Sequence, residues 1–155
     1  MNDLSELLSI EAVVDDLVAT NKKGLFQQLG AAAGRLTGLA SKTIVTALSD
    51  REKLGSTGFG NGSAIPHGKL AGIDAVFGYF ARLQSPIDFQ AVDGMPVDLV
   101  FLLLSPIDAG ADHLKALASV SRTFRDKQIL AKLRGARSRD ALFALLAGEE
   151  ALNAA

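Results

Sequence analysis

Residues 97–104 read VDLVFLLL, a run in which seven of the eight side chains are apolar. Such a run favours a central strand of a sheet that is covered on both faces. Residues 75–81 (AVFGYFA) and 12–18 (AVVDDLV) have the composition of two further strands. Residues 87–89 are expected to form a short edge strand before a turn at Asp93-Gly94. A β-sheet is therefore expected at the core of the protein.

Helical patterns occupy the segments around these strands. Thr20 or Asn21 can cap a first helix that runs through Leu36. Ser41 can cap a second helix, and Gly55 is placed to end it. These two helices lie between the first and second predicted strands.

Three more helical stretches follow Pro106. They are residues 112–124, a short helix capped by Asp126, and residues 138–146 capped by Ser138. The arginines around the last two helices are interpreted as helix-end charges on a solvated surface. They are Arg134, Arg137 and Arg139. The whole pattern predicts an α/β layered domain with a sheet covered by helices.

Length and composition narrow the class of protein. The 155 residues are expected to form one domain, residues 1–155. Sixteen basic against seventeen acidic residues leave a net charge of -1, so no basic field is available for nucleic acid or an anionic membrane. The absence of cysteine excludes disulfides and thiolate chemistry. With no leader pattern and no apolar run long enough to span a bilayer, a soluble cytoplasmic protein without membrane insertion is expected.

The segment from Gly55 to Gly62 holds four glycines and is expected to be an irregular loop. Free backbone N–H groups in such a loop can bind an anion. The spacing matches neither a nucleotide P-loop nor a dinucleotide-binding motif. The residues predicted to cradle a phosphate are Ser56, Thr57, Gly60, Asn61, Gly62 and Ser63.

His67 is the first candidate for chemistry. It lies between Pro66, which fixes the preceding backbone, and Gly68, which would permit close approach by another molecule. An accessible imidazole nitrogen beside N–H donors and positive charge can carry a phosphoryl group. From these residues alone, an ordinary turn histidine stays open as the alternative.

Two further residues could assist His67. His113, near the start of a predicted helix, could donate to a phosphoryl group or cap its own turn. Arg51, just before the glycine-rich segment, could bind the same phosphate or simply be solvated. The sequence has neither the ligand spacing of a zinc site nor the serine elbow of a hydrolase. We therefore expect no metal and no cofactor.

The segments Arg51 to Gly58 (REKLGSTG) and Gly60 to Gly68 (GNGSAIPHG) resemble the phosphorylation segment of a known family. That family is the fructose/mannitol-type IIA domains of the bacterial phosphoenolpyruvate-dependent phosphotransferase system. Residues 91–101 and 111–118 are similar to it as well. The resemblance implies a mixed β-sheet of about five strands flanked by helices on both faces. Phe59 departs from the pattern, which calls for a smaller or β-branched residue there.

The resemblance also implies roles for residues. His67 would carry the phosphoryl group, and Arg51 and His113 would help to hold it. A chain without attached IIB or IIC domains is most similar to the family's nitrogen-regulatory branch. This implies a histidine-containing phosphocarrier protein as donor and regulatory target proteins, related to nitrogen or potassium, that distinguish the two phosphorylation states. Phe59 and Ile65 are expected to contact the donor at the apolar rim of the site.

Two other functions stay open. One is a sugar-specific IIA component that passes phosphate to the IIB cysteine of a transporter. The other is a module that binds an anion or ligand without phosphotransfer. Whether the chain counts as an enzyme is open too, because its phosphohistidine would serve regulation more than metabolism.

Overall fold

The computed structural model describes residues 4–148. A short 3-10 helix, Ile10–Ala12, precedes the first strand. The strands are β1 Val13–Leu17, β2 Gly58–Gly60, β3 Ser63–Ala64, β4 His67–Leu70, β5 Phe77–Ile87 and β6 Val97–Pro106. The helices are α1 Lys22–Thr37, α2 Ser41–Lys53, α3 Ala111–Arg125, α4 Lys127–Gly135 and α5 Arg139–Ala147. The single-domain prediction for residues 1–155 reaches beyond the described residues and stays a prediction.

The described strands form one mixed sheet in the order β1-β5-β6-β3-β2, with β4 also paired to β6. β5 runs antiparallel to β6, whereas β1 is parallel to β5, and β3 and β4 are parallel to β6. The sheet has six strands instead of about five. Pro66, which has no N–H to donate, interrupts the edge beside β6 and separates β3 from β4.

β6 lies at the centre of the sheet, as its apolar run predicts. Every residue of β6 is buried except Asp98 and Pro106, which are half-buried. The backbone of Gly68 on β4 faces Ala47 of α2, while Ser105 on β6 is bonded to His113 of α3. Ser105 is paired with Lys69, so these two side chains lie on one face of the sheet. Gly68 is next to Lys69 on β4 and therefore lies on the other face. Helices therefore cover both faces.

Most predicted helix ends are confirmed. The side chain of Asn21 accepts from the Gly24 N–H at 2.7 Å, and Asp126 and Ser138 cap α4 and α5 in the same way. The prediction for Ser41 is wrong. Ser41 is the first residue of α2, and the preceding Ala40 is the N-cap, with no side-chain hydrogen bond.

Two segments between the main elements differ from expectation. The glycine-rich segment is not wholly irregular, because Gly58–Gly60 forms β2. There the missing side chain of Gly58 lets Ala91 approach; a Cβ at Gly58 would lie 2.6 Å from the Ala91 Cβ. The predicted edge strand at 87–89 is also wrong. Ile87 ends β5 and pairs with Val97, and Phe89 lies outside the strands with its ring buried.

Within residues 4–148, no helix combines the length and apolar character needed to cross a membrane.

Candidate functional site

His67 is the first residue of β4 and is half-buried beside Leu103 of the central strand. Its Nδ1 lies 2.7 Å from the carbonyl oxygen of Ile65. A carbonyl only accepts hydrogen bonds, so Nδ1 carries the proton and donates. In the neutral ring the other nitrogen, Nε2, then holds a free lone pair. The backbone two residues upstream therefore fixes which nitrogen of His67 can act as a nucleophile.

The charge state of His67 favours the same chemistry. Burial lowers the pKa of His67 below the ordinary value of 6.5, and the positive charge of Arg51 lowers it further. The hydrogen bond to Ile65 and the negative charge of Glu52 oppose this and raise the pKa, but the net shift is downward. His67 is therefore neutral near pH 7, the form in which Nε2 can attack phosphorus.

His113 lies in the first turn of α3, with its ring centroid 5.8 Å from that of His67. The side chain is buried, and its Nδ1 lies 2.6 Å from the hydroxyl oxygen of Ser105. Burial lowers the pKa of His113, with a smaller contribution from the nearby positive charge of Lys69. The structure thus brings the only two histidines of the sequence together, although they are 46 residues apart. His113 bonds to Ser105 on β6 instead of capping its own turn.

Arg51 lies in the last turn of α2, on the approach to His67. Its Nη1 donates to the carbonyl oxygen of Gly55 at 2.9 Å, so the loop that follows the helix holds the guanidinium. The positive charge of Arg51 lowers the pKa of His67. The site therefore combines a neutral imidazole with a fixed cation, a pairing suited to an incoming phosphoryl group.

Glu52 is a residue of this site that sequence reasoning missed. Its nearly buried carboxylate accepts from the N–H of Thr57 at 3.1 Å, from the Thr57 hydroxyl at 2.5 Å, and from Lys22 Nζ at 2.9 Å. The Thr57 carbonyl in turn accepts from the Ile65 N–H at 3.0 Å, and Ile65 holds His67. Glu52 thus supports His67 through a chain of hydrogen bonds. Its position directly after Arg51 was the only available signal.

The predicted phosphate cradle divides into two groups. Ser56 and Thr57 lie next to the Ile65 backbone and so close to His67. Their hydroxyls already have partners inside the protein, since Ser56 Oγ accepts from the Gly58 N–H at 3.0 Å and Thr57 donates to Glu52. The Thr57 N–H also donates to Glu52, so any contact of this pair with phosphate would use the backbone N–H or the hydroxyl hydrogen of Ser56.

The other four residues, Gly60, Asn61, Gly62 and Ser63, form the turn between β2 and β3. Ser63 is paired with Leu99 and His67 with Leu103, so four residues of strand, roughly 13 Å, separate the turn from His67. The Ser63 hydroxyl donates to the Gly60 carbonyl at 2.8 Å, and the Asn61 N–H donates to Asp93 at 3.0 Å. The structure does not bring these residues to the histidine pair.

Arg134 holds that turn in place. Its Nη2 donates to the Asn61 carbonyl at 2.7 Å and to Asp98 at 2.9 Å. Gly62 has φ +81°, and a Cβ there would overlap the Arg134 guanidinium. The interpretation of Arg134 as a merely solvated helix-end charge is therefore wrong, whereas Arg137 and Arg139 are exposed, as that interpretation requires.

Two sequence-based interpretations near His67 also change. Gly68 was expected to admit another molecule, but a Cβ there would lie 3.3 Å from the Ala47 Cβ, so the close approach is by α2 of the same chain. Ile65 was expected at the rim of the site, yet it is only 3% exposed. Phe59 is half-buried and packs against the core.

The described residues include no group of three or more His, Asp or Glu side chains placed to hold a metal ion.

Comparison with known proteins agrees with this geometry. Residues 6–148 match the family model for the phosphoenolpyruvate-dependent sugar phosphotransferase system, EIIA 2. A nitrogen regulatory protein of Bradyrhizobium diazoefficiens is 50% identical over 144 residues, covering 93% of this chain and 94% of that protein. A fructose-specific EIIA component of Haloferax volcanii is 31% identical over 150 residues, covering 95% and 96%.

A solved structure leads to the same family. The crystal structure of the nitrogen regulatory protein IIA-Ntr from Neisseria meningitidis superposes with a TM-score of 0.87 at 38% identity, covering 92% of this chain and 98% of that one. The chain therefore belongs to the EIIA type 2 family of the phosphoenolpyruvate-dependent sugar phosphotransferase system, and it is similar to members named as nitrogen regulatory proteins.

Proposed function

We propose that this protein is a phosphoryl carrier that accepts phosphate on Nε2 of His67 from a histidine-containing phosphocarrier protein. The observation that carries the proposal is the 2.7 Å hydrogen bond from His67 Nδ1 to Ile65, which leaves Nε2 unprotonated in a ring whose centroid lies 5.8 Å from that of His113. The Nε2 lone pair forms a bond to phosphorus while the donor's N–P bond breaks, and that electron pair returns to the donor nitrogen.

The surrounding charges suit the phosphorylated state. A phosphoryl group adds about -1.5 to -2 charge near pH 7 on the scale of other phospho-residues. Arg51 supplies a fixed positive charge, and Lys69, two residues along β4, lies on the same face as His67. The half-buried position of His67 strengthens these interactions relative to open solvent.

Three exposed apolar side chains that lie near Arg51 or His113 in the sequence are proposed to receive the donor protein. Leu54 follows Arg51 at the end of α2 and is 83% exposed, and Ile107 and Leu114, on either side of His113, are 65% and 66% exposed. Large exposed apolar side chains grouped at a reactive centre are typical of a protein docking surface. They take the place of the rim expected at Phe59 and Ile65.

The proposed output is regulation by phosphorylation state. The similarity to proteins named for nitrogen regulation supports this branch over sugar transport. A target that contacts the surface around His67 meets either a neutral imidazole or a phosphoryl dianion, so its affinity depends on the state. We propose target proteins related to nitrogen or potassium, as the resemblance implies.

A sugar-specific role is the second candidate, favoured by the 31% identity to the fructose-specific component of Haloferax volcanii. In that role the phosphoryl group would leave His67 for a cysteine of a transporter IIB domain. Transfer from the phosphorylated protein to purified fructose-type IIB domains would support this role, and its absence would support the regulatory one.

The test of phosphoryl transfer is intact-mass analysis after incubation with phosphoenolpyruvate, enzyme I and a phosphocarrier protein. Wild type should gain one acid-labile phosphoryl mass, and His67→Ala should gain none while folding normally. Lys53→Ala, which removes a largely exposed cation near the site, serves as the control and should be labelled like wild type. Labelling of His67→Ala would overturn the assignment, and no labelling of wild type with several donor pairs would favour an anion-binding module.

A further inference from the structure

Ser105 is a fully buried serine in β6 whose hydroxyl contacts His113. It is 0% exposed, and its register partner on β4 is Lys69, two residues after His67. In the described part of the chain, the 2.6 Å contact with His113 Nδ1 is the only hydrogen bond of its hydroxyl. The direction of this single bond decides the protonation pattern of His113.

A buried hydroxyl needs an acceptor for its hydrogen, because an unsatisfied donor in the interior costs free energy. Nδ1 of His113 is the acceptor within reach of Ser105. If the hydroxyl donates to Nδ1, that nitrogen has no proton, and in the neutral ring the proton resides on Nε2. The opposite direction would leave the Ser105 hydrogen without a partner in the described structure.

We propose that Ser105 is a positioning residue that holds His113 in the Nε2–H tautomer, so that His113 donates a hydrogen bond to the phosphoryl group on His67. This inference rests on the proposed function for its last step. The assignment of the tautomer stands on the geometry of the unphosphorylated protein.

The tautomer matters because His113 is neutral near pH 7. Burial lowers its pKa, and the positive charge of Lys69 lowers it further, so a protonated ring is not the donor there. A neutral imidazole donates only from the nitrogen that bears the proton. With that proton on Nε2, His113 can donate to a phosphoryl oxygen without taking up a second proton.

The two histidines would then have complementary roles. His67 has its proton on Nδ1, held by Ile65, and presents a bare Nε2. His113 has its bare nitrogen on Nδ1, held by Ser105, and presents an Nε2–H. His67 supplies the lone pair and His113 supplies the hydrogen bond. In each ring the partner, Ile65 or Ser105, contacts Nδ1 and leaves Nε2 for the reaction.

The tautomer is tested by ¹⁵N NMR of the full-length, unphosphorylated protein labelled at histidine, at a pH where both rings are neutral. In wild type, His113 should show a protonated Nε2 and a bare Nδ1. In Ser105→Ala, the two nitrogen shifts of His113 should move toward each other as the ring samples both tautomers, with the signals of His67 unchanged. Ser105→Thr keeps the hydroxyl and should preserve the wild-type pattern.

Transfer kinetics provide the second readout. Ser105→Ala should accept phosphate roughly tenfold more slowly, the size expected for one lost hydrogen bond, with an unchanged KM for the phosphocarrier. Ser105→Thr should recover most of the rate. A wild-type His113 protonated on Nδ1, or an alanine variant with wild-type tautomer and rate, would overturn the inference. Failure of wild type to be phosphorylated on His67 would instead overturn the proposed function and leave the NMR result to decide the tautomer.

Discussion

The two ends of the segment from Arg51 to Ser63 do different things, although residues at both ends were predicted to bind phosphate. At one end, Arg51 and Glu52 shift the pKa of His67 in opposite directions, and Thr57 holds Ile65, whose carbonyl fixes the tautomer of His67. At the other end, residues 60–63 form a turn whose polar groups are bonded to Asp93 and Arg134. The difference shows that glycine and hydroxyl content alone does not identify a phosphate site. Substitutions at the first end should change phosphoryl transfer, and those at the turn should change stability.

The largest effect is expected at Arg51, after His67 itself. Arg51→Ala removes the fixed cation whose charge acts on His67, and it should slow phosphoryl transfer to His67 on the order of a hundredfold. Quenched-flow labelling measures the rate. The matched control is Lys53→Ala, in the same turn of α2 with a side chain that is 77% exposed, and it should stay near the wild-type rate. Equal loss in both variants would show that general positive charge is sufficient.

The turn end is tested by Gly62→Ala. Its φ of +81° disfavours a side chain, and the added Cβ displaces the Arg134 guanidinium, so unfolding free energy should fall by about 2–3 kcal/mol. Chemical denaturation measures the loss. Gly94→Ala is the control, because Gly94 has φ +72° with open space around it, and its loss should be about 1 kcal/mol.

Phosphoryl transfer to His67 in Gly62→Ala, measured well below the unfolding temperature of the variant, shows whether the turn also affects the reaction. A rate close to that of wild type would confirm that the turn has a structural role. A loss of rate as large as that of Arg51→Ala would contradict the separation of the two ends.

The smallest expected effect is a change in the pKa of His67. The Glu52 carboxylate raises this pKa, so Glu52→Gln should lower it further below 6.5 and keep the ring neutral to more acidic pH. NMR titration of the His67 ring measures the shift. Asp50→Asn removes a largely exposed carboxylate from the same helix and should leave the pKa nearly unchanged. An upward shift in Glu52→Gln would contradict the assigned role of its charge.

The sequence was sufficient to predict those strands and helix caps that have strong local patterns. Residues 97–104 predicted β6 because a nearly unbroken apolar run suits a strand buried on both faces, and the caps at Asn21, Asp126 and Ser138 followed from side-chain chemistry. The predicted cap at Ser41 was wrong because the carbonyl of the preceding Ala40 accepts the first helical bonds, which leaves Ser41 inside the helix.

The parts of the site that sequence could not predict depend on contacts between distant residues. Arg134 reaches Asn61 from 73 positions away, and Lys22 reaches Glu52 from 30, so neither partner appears in a local motif. In the sequence, Ser105 is only the residue that follows the apolar run of β6. Its contact with His113 is seen only in the folded protein. Tight turns and anion-binding loops are both rich in glycine. Only the hydrogen-bond partners of their polar groups show which of the two a segment forms.

The most direct test of the central claim is to identify the phosphorylated nitrogen by ¹⁵N and ³¹P NMR of the phosphorylated protein, labelled with ¹⁵N at histidine. Because Ile65 holds Nδ1 of His67 as a donor, the phosphorus should be bonded to Nε2 of His67, with Nδ1 still protonated. Phosphorus on Nδ1 of His67, or on His113, would contradict the account.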